Sequence, residues 1–441
     1  MKKTFLLLPL SLLVAISWIA CKKSSDAVSA ERGKMLYTAH CASCHGDQGK
    51  GNGPAANYLF PKPRDFTSGV FKYRSGRGTI PSDTDILQVL KTGIPGTAMP
   101  GWDLLGMNDW QSMLAYLKIL SPKLKEQKAA AAIDIPDASK TTAESIHAGH
   151  KIYEQGGCVA CHGAAGLGNG PASVALKDAW GNPVVPRDLT HGPLKWGNTD
   201  KNLYRTLVLG IPGTPMPGFE ETYTKEQLWN LVHYLKSIQK IPKNYDPSDP
   251  KRNLIQAAQY AGELPLDFQE AAWGHAKEVA VFLKPLRAGK NMPEWLTVKA
   301  LHNDKEIAFN ISWQDDQQST APQASDAVAL QFPAHVIDNP ADLPYLGMGH
   351  PDNPVQIWEW QPKGLTQLEA AGITKISQKE KPDSQVTANG VYQDGLWHIV
   401  IKRNFNASLK SGYLSFGIWD GDLPPQPGPH AFSEWMLYDI Q

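Results

Sequence analysis

Two periodicities divide this chain. Trp110, Met113, Leu114 and Leu117 recur at i, i+3, i+4 and i+7, so they form one apolar stripe of a helix. Leu228, Leu231, Val232 and Leu235 repeat that stripe further on. Asn108 with Gln111, and Thr224 with Gln227, are residue pairs of the kind that cap a helix start. Gly33, Leu36 and Tyr37 predict a short helix leading into Cys41, and Asp83 to Lys91 predicts another. From about residue 271 the period drops to two. Ile307, Phe309, Ile311 and Trp313 point one way, as do Val328, Leu330 and Phe332, then Trp397, Ile399 and Ile401, then Leu414, Phe416 and Ile418. Turn signals at Asn303-Asp304, Asn389-Gly390 and Asp420-Gly421 separate such segments. The pattern predicts a multidomain chain: two all-α units over 31–121 and 144–240, then an all-β sandwich over 271–441. Residues 122–143 and 241–270 read as linkers.

The helical part is a duplication. Cys41-Ala42-Ser43-Cys44-His45 returns as Cys158-Val159-Ala160-Cys161-His162. Ile94-Pro95-Gly96-Thr97-Ala98-Met99-Pro100-Gly101 returns as Ile211-Pro212-Gly213-Thr214-Pro215-Met216-Pro217-Gly218. Cys41 to Met99 and Cys158 to Met216 span the same 58 positions. The glycine-rich loops (Gly51 to Ala55, Gly168 to Ala172) and Pro63-Arg64-Asp65 with Pro186-Arg187-Asp188 recur as well. These loops lack the lysine ending of a phosphate loop, and they read as flexible backbone passing close to a cofactor edge.

Cysteine usage says what the repeat carries. Four of the five cysteines lie in the two Cys-x-x-Cys-His motifs, so no pair remains for a structural disulfide. A redox dithiol needs no following histidine, and a zinc site needs a second ligand pair nearby. Cys-x-x-Cys-His is the attachment motif of haem c: Cys41 and Cys44, and Cys158 and Cys161, bond to the vinyl groups, and His45 and His162 reach the iron. Met99 and Met216, held between prolines, are the candidates for the opposite faces, because His/Met is the ligand pair of electron-transfer haems. Arg64 and Arg187 recur beside the loops. They are candidates for haem propionates, or else for salt bridges to Asp65 and Asp188 or for solvated surface positions.

The fifth cysteine closes an apolar run, Phe5 to Ala20, that follows Lys2 and Lys3 and is short for a membrane span. Residues 1–21 therefore read as an export signal. Its end, Trp18-Ile19-Ala20-Cys21, resembles a bacterial lipoprotein processing site with Cys21 as the lipidated residue, which implies a lipid-anchored protein in the periplasm. The 441 residues carry a formal net charge of zero and no basic block, which leaves nothing to attract nucleic acid. Eight of the 14 tryptophans follow residue 270, so the last third is built differently.

Both helical units, over residues 31–240, resemble class I cytochrome c domains, which implies helices wrapped around one haem each. Ala327 to Pro333, Tyr345-Leu346-Gly347-Met348-Gly349 with Ile357 to Trp360, and Ala431-Phe432-Ser433-Glu434-Trp435 resemble the haem-b subunit of ethylbenzene dehydrogenase and its relatives. Those are γ subunits of exported molybdenum enzymes. The resemblance implies one non-covalent haem b held by a methionine from a glycine-rich loop and a lysine near the C-terminus. The methionine maps to Met348. The lysine position maps to His430, a departure from the family that still supplies a haem ligand. His335, His350, His398 and Met292 are rivals. His398, alternating with Trp397 and Ile399, is expected to face solvent.

Every iron so assigned is capped on both faces, and no nucleophile with a paired base appears. The expectation is an electron-transfer protein with two c haems and one b haem, not an enzyme on its own. Its partner would be a redox protein, plausibly a molybdenum and iron–sulfur oxidoreductase or a soluble cytochrome. Two other classes stay open: a di-haem peroxidase, which would need an open iron, and a redox partner whose sandwich grips carbohydrate through exposed tryptophans.

Overall fold

The computed structural model describes residues 27–242, 245, 249, 251–287, 293–321, 324–404, 411–424 and 428–440. Cys21, the apolar leader and Met292 lie outside them. No described helix is long and apolar enough to cross a membrane.

The first helical unit contains α1 (Ala30–His40), α2 (Ala42–His45), α3 (Asp83–Thr92), α4 (Met107–Leu120) and α5 (Pro122–Glu126). The second contains α6 (Ala143–Gln155), α7 (Cys158–His162), α8 (Asp200–Leu209) and α9 (Lys225–Ser237). Helix α1 crosses α4, and α6 crosses α9. Glycine makes the crossing close: a Cβ on Gly33 would lie 1.9 Å from the Ser112 carbonyl oxygen, and one on Gly149 would lie 1.9 Å from that of Asn230. The stripes are buried as expected, with Met113 and Val232 at their centres. Thr224 and Gln227 form the expected capping box. Asn108 and Gln111 do not cap α4. Its N-cap is Gly106, which has no side chain to offer, and Asn108 falls inside the first turn, where its carbonyl accepts from Ser112.

The C-terminal region is a large β-sheet. Its strands are β1 (Leu254–Gln259), β2 (Val279–Pro285), β3 (Trp295–His302), β4 (Glu306–Gln314), β5 (Thr320–Ala321), β6 (Ala324–Ser325), β7 (Ala327–Pro333) and β8 (Val355–Gln361). There follow β9 (Gly364–Ala370), β10 (Ile376–Gln378), β11 (Val386–Gln393), β12 (Leu396–Asn404), β13 (Ser411–Trp419), β14 (Ala431–Ser433) and β15 (Met436–Ile440). The main sheet runs β10-β9-β8-β7-β13-β14-β2-β3-β4-β12-β11. One apolar core takes Leu330 and Trp360 from one half, and Ile311, Trp313 and Trp397 from the other. Strand β1 falls in the stretch read as a linker. It pairs in parallel with β15 and β3, so its backbone partners come from distant sequence that local periodicity does not report. His398 corrects its expected place as well. It is partly buried, stacked on Phe268 with ring centroids 4.1 Å apart and hydrogen-bonded to Ser312.

The first helical unit is seated on this sheet. The Gly101 amide donates to Glu434 at 2.6 Å, and Glu434 also pairs with the buried Lys284 at 3.0 Å. Arg252 pairs with Asp103 at 2.7 Å, and the Phe60 amide donates to the Leu286 carbonyl at 2.9 Å.

Candidate haem sites

Helix α7 carries both cysteines and the histidine of its motif, and α2 does so together with its N-cap Cys41, so about one helical turn gathers the three side chains. Beyond each, the backbone is locked by glycine. A Cβ on Gly53 would lie 2.4 Å from the carbonyls of Ala42 and Ser43, and one on Gly170 at the same distance from those of Val159 and Ala160. These glycine loops therefore pack backbone on backbone against the motif helices, rather than staying flexible beside a cofactor. A tyrosine from the first helix fastens each turn: Tyr37 donates to the Gly46 carbonyl at 2.6 Å, and Tyr153 to that of Gly163 at 2.7 Å.

The histidines are held alike. His45 Nδ1–H donates to the Arg64 carbonyl at 2.9 Å, and His162 Nδ1–H to the Arg187 carbonyl at 3.0 Å. Spending Nδ1–H on a carbonyl leaves the Nε2 lone pair to face outward, which is the second bond a metal-ligating histidine needs. Burial lowers His45 to about 4 and lowers His162 as well, so both imidazoles are neutral in the ordinary pH range. Burial pushes the Cys41 thiol up to about 12. The methionine loops match bond for bond. Thr97 Oγ1 donates to the Ile94 carbonyl at 2.8 Å and accepts from the Met99 amide at 3.2 Å; Thr214 does the same for Ile211 and Met216 at 2.8 and 3.3 Å.

In the first unit these groups surround one cavity of about 160 Å³, lined by Cys41, Cys44, His45 and Met99, with Arg64 and Lys72 also on its wall. The donor set and the apolar lining fit a haem. The β-sheet region closes this cavity: Tyr345, Leu346, Gly347 and Phe432 line it, and the Tyr345 hydroxyl lies 3.1 Å from Cys44 Sγ. In the second unit Cys158, Cys161, His162 and Met216 are all partly exposed, whereas Cys41 and His45 are buried. The two sites share a donor set and differ in cover.

The arginines depart from both local readings. Asp65 and Asp188 cap their own turns, accepting from Thr67 and Thr190. Arg187 pairs through both terminal nitrogens with Glu294, far away in sequence, and Arg64 stacks its guanidinium on Trp180 at 4.2 Å.

A second, smaller cavity of about 30 Å³ lies within the sheet region, lined by Met348, Gln331, Phe416, Trp419, Pro429 and Phe432 among others. Met348 has a φ of +69°, a strained conformation for a side-chain-bearing residue, and it is buried. His430 is buried but does not line this cavity. Its Nδ1 accepts from the Asp420 amide at 2.9 Å, and its Nε2 lies 3.2 Å from the Pro424 carbonyl. The structure thus places one of the two expected haem-b ligands at the cavity and ties the other to a neighbouring loop. Of the rivals, His335 and His350 are exposed.

Comparison with known proteins bears on the same three regions. The cytochrome c family model matches residues 146–239, the model for subunit III of cbb3-type cytochrome c oxidase matches residues 28–117, and the ethylbenzene dehydrogenase model matches residues 270–383. Cytochrome c-554(547) of Halothiobacillus neapolitanus is 35% identical over 101 residues, which is 21% of this chain and 99% of that protein. The chain is a cytochrome c fused to an ethylbenzene-dehydrogenase-γ-like domain. The chlorate reductase subunit gamma of Ideonella dechloratans is 24% identical to this fusion over 42% of the chain and 83% of that subunit. A Haloferax mediterranei protein named as a respiratory nitrate reductase heme subunit is 30% identical over 33% of the chain; the match spans 55% of that protein's length. Cytochrome c domains imply covalent haem c, and the γ-like domain places the third region among haem-subunit relatives.

Sequence reasoning missed Tyr345, Lys72 and Lys195. A signal for the lysines was present: each lies eight positions after its arginine, 64 to 72 and 187 to 195. Tyr345 sat inside a quoted motif, but nothing in the sequence joined it to Cys44.

Proposed function

We propose that this fusion is an exported, lipid-anchored electron-transfer protein. It carries two c haems and one b haem, and it relays electrons to or from a periplasmic redox enzyme, plausibly a molybdenum oxidoreductase. Its working parts would be c domains over 31–121 and 144–240 and a β-sandwich over 271–441, extended by β1. The observation that supports it best is the identical pair of locks in both c domains: the imidazole fixed through Nδ1 and the methionine loop opposite.

A bound haem supplies one-electron chemistry. His45 and Met99, and His162 and Met216, would cap the iron on both faces. That leaves no position for a peroxide or oxygen substrate and lets the oxidation state change with little rearrangement. Cys41, Cys44, Cys158 and Cys161 would hold the two groups covalently. Met348 would face the haem b. For His430 to serve as its second ligand, the imidazole has to release the Asp420 amide and the Pro424 carbonyl, so loading would couple to that loop.

A pyridine haemochrome assay on the purified holoprotein tests this reading. A c-to-b ratio of two to one is expected. A pure c spectrum would remove the site at Met348. A high-spin ferric band with peroxide turnover would replace the relay with a di-haem peroxidase. Co-purification of a redox enzyme from native envelopes tests the partner.

A further inference from the structure

The two arginines belong to one c domain each by sequence and to both by position. Arg64 lines the cavity of the first domain, yet its guanidinium rests on Trp180 and against Gly213 in the methionine loop of the second, where a Cβ would lie 3.3 Å from Arg64 Nη1. Arg187 comes from the second domain and lies against Gly96 in the methionine loop of the first, where a Cβ would lie 2.8 Å from Arg187 Nη1. The exchange is reciprocal. Each domain sends its arginine to the other's axial loop, and each loop has a glycine where a side chain would collide.

Lys72 and Lys195 join them at the same seam. Both are partly buried. Lys72 is lowered to about 7 by burial and by the charges of Lys195 and Arg64; Lys195 is lowered to about 8 by burial and by Arg187. Four cations therefore feel one another. The carboxylates that act on them are Glu294, in contact with Arg187, Asp178, which is held by the amides of Trp180 and Asn182, and Asp65, which caps its own turn beside Arg64. Among the described residues, Arg64 Nε, Arg187 Nε and the Tyr73 hydroxyl are buried without a hydrogen-bond partner, and Tyr73 lies in the field of both arginines. A desolvated excess of positive charge with idle donors is costly unless anions complete it.

We propose that this seam is a single carboxylate-binding nest, in which Arg64 and Arg187, supported by Lys72, Lys195 and Tyr73, each hold propionates of both c haems. The nest rests on the reading of haem at both cysteine motifs. It couples the two irons electrostatically: each arginine stabilises the reduced form of both, because an added positive charge disfavours the more positive oxidised state.

The test is a redox titration of the full-length holoprotein in an M216H background. There His/His ligation lowers the second haem's potential and separates the two c waves. R64Q and R187Q, each alone, are expected to lower both midpoint potentials, while R187K keeps the charge and the potentials. Lys195 makes no ion pair among the described residues, so K195M stands in if R187Q fails to fold, and it too should lower both. If R64Q moves only the first haem and R187Q only the second, sharing is overturned. If neither wave moves, the nest is overturned altogether. A haemochrome count on the same wild-type preparation separates the two levels. Fewer than two c haems would sink the underlying haem reading, and the nest with it.

Discussion

His45 and His162 are the candidate ligands, and one hydrogen bond from Nδ1 to a backbone carbonyl is the feature that they share. Both motifs were legible because Cys-x-x-Cys-His fixes attachment and axial donor within five residues. The methionines were legible because the duplication kept their distance. Met348 stood out through its flanking glycines, and both it and Gly349 take a positive φ. The places of His430, Arg64 and Arg187 were not legible, because their partners are Asp420, Trp180 and Glu294, brought near only by the fold. Asp315 is another case. Burial, with Asp326 and Asp420 nearby, raises it to about 7. An unfolded aspartate titrates near ~3.9, so the folded form holds this proton more tightly. Stability from this group is present at low pH and is lost as pH rises from ~4 through 7. D315N should therefore raise the melting temperature more at pH 8 than at pH 5. An equal change at both would show that Asp315 is ionised in the fold throughout.

At the scale of elements, the helix crossings hold each c domain together, and their tightness is set by glycine. The apolar stripes of α4 and α9 predicted which faces are buried. They could not predict how closely α1 and α6 approach, since that depends on a missing side chain. Gly33→Ala puts a methyl group 1.9 Å from a backbone carbonyl, where no rotamer change relieves it. The expected cost is about 1–3 kcal/mol, the range of overpacked cores. Gly274→Ala meets nothing within 4 Å and serves as the control. Thermal unfolding followed by circular dichroism reads both, and an unchanged melt for Gly33→Ala would mean that the two helices separate freely. The strand β1 makes the opposite point. Its six residues carry too little periodicity to be read alone, and its place is fixed by β15 and β3.

At the scale of the molecule, the order of the sites follows from shared walls. Leu346, Gly347 and Phe432 line both the cavity of the first c domain and the cavity beside Met348. Cys44, Leu59 and Ala98 pack in the same apolar cluster as Met348 and Trp435. The first c domain also meets the second, through the arginine seam, through Arg74 donating to the Leu209 carbonyl at 3.0 Å and through the Arg77–Glu220 pair. The first c domain therefore shares walls with both of the others, an arrangement that chain order alone does not imply, while the second reaches the sheet region through Arg187 and Glu294. Phe432→Ala should perturb the spectra of the first c haem and the b haem together and leave the second c haem as it was. Replacing Cys41 and Cys44 by alanine should stop electron exchange between the b haem and the second c haem. Replacing Cys158 and Cys161 should leave exchange between the b haem and the first c haem intact. Stopped-flow reduction, followed at the separate α-bands, measures each case. Fast exchange between the b haem and the second c haem without the first would mean that the first c domain is bypassed.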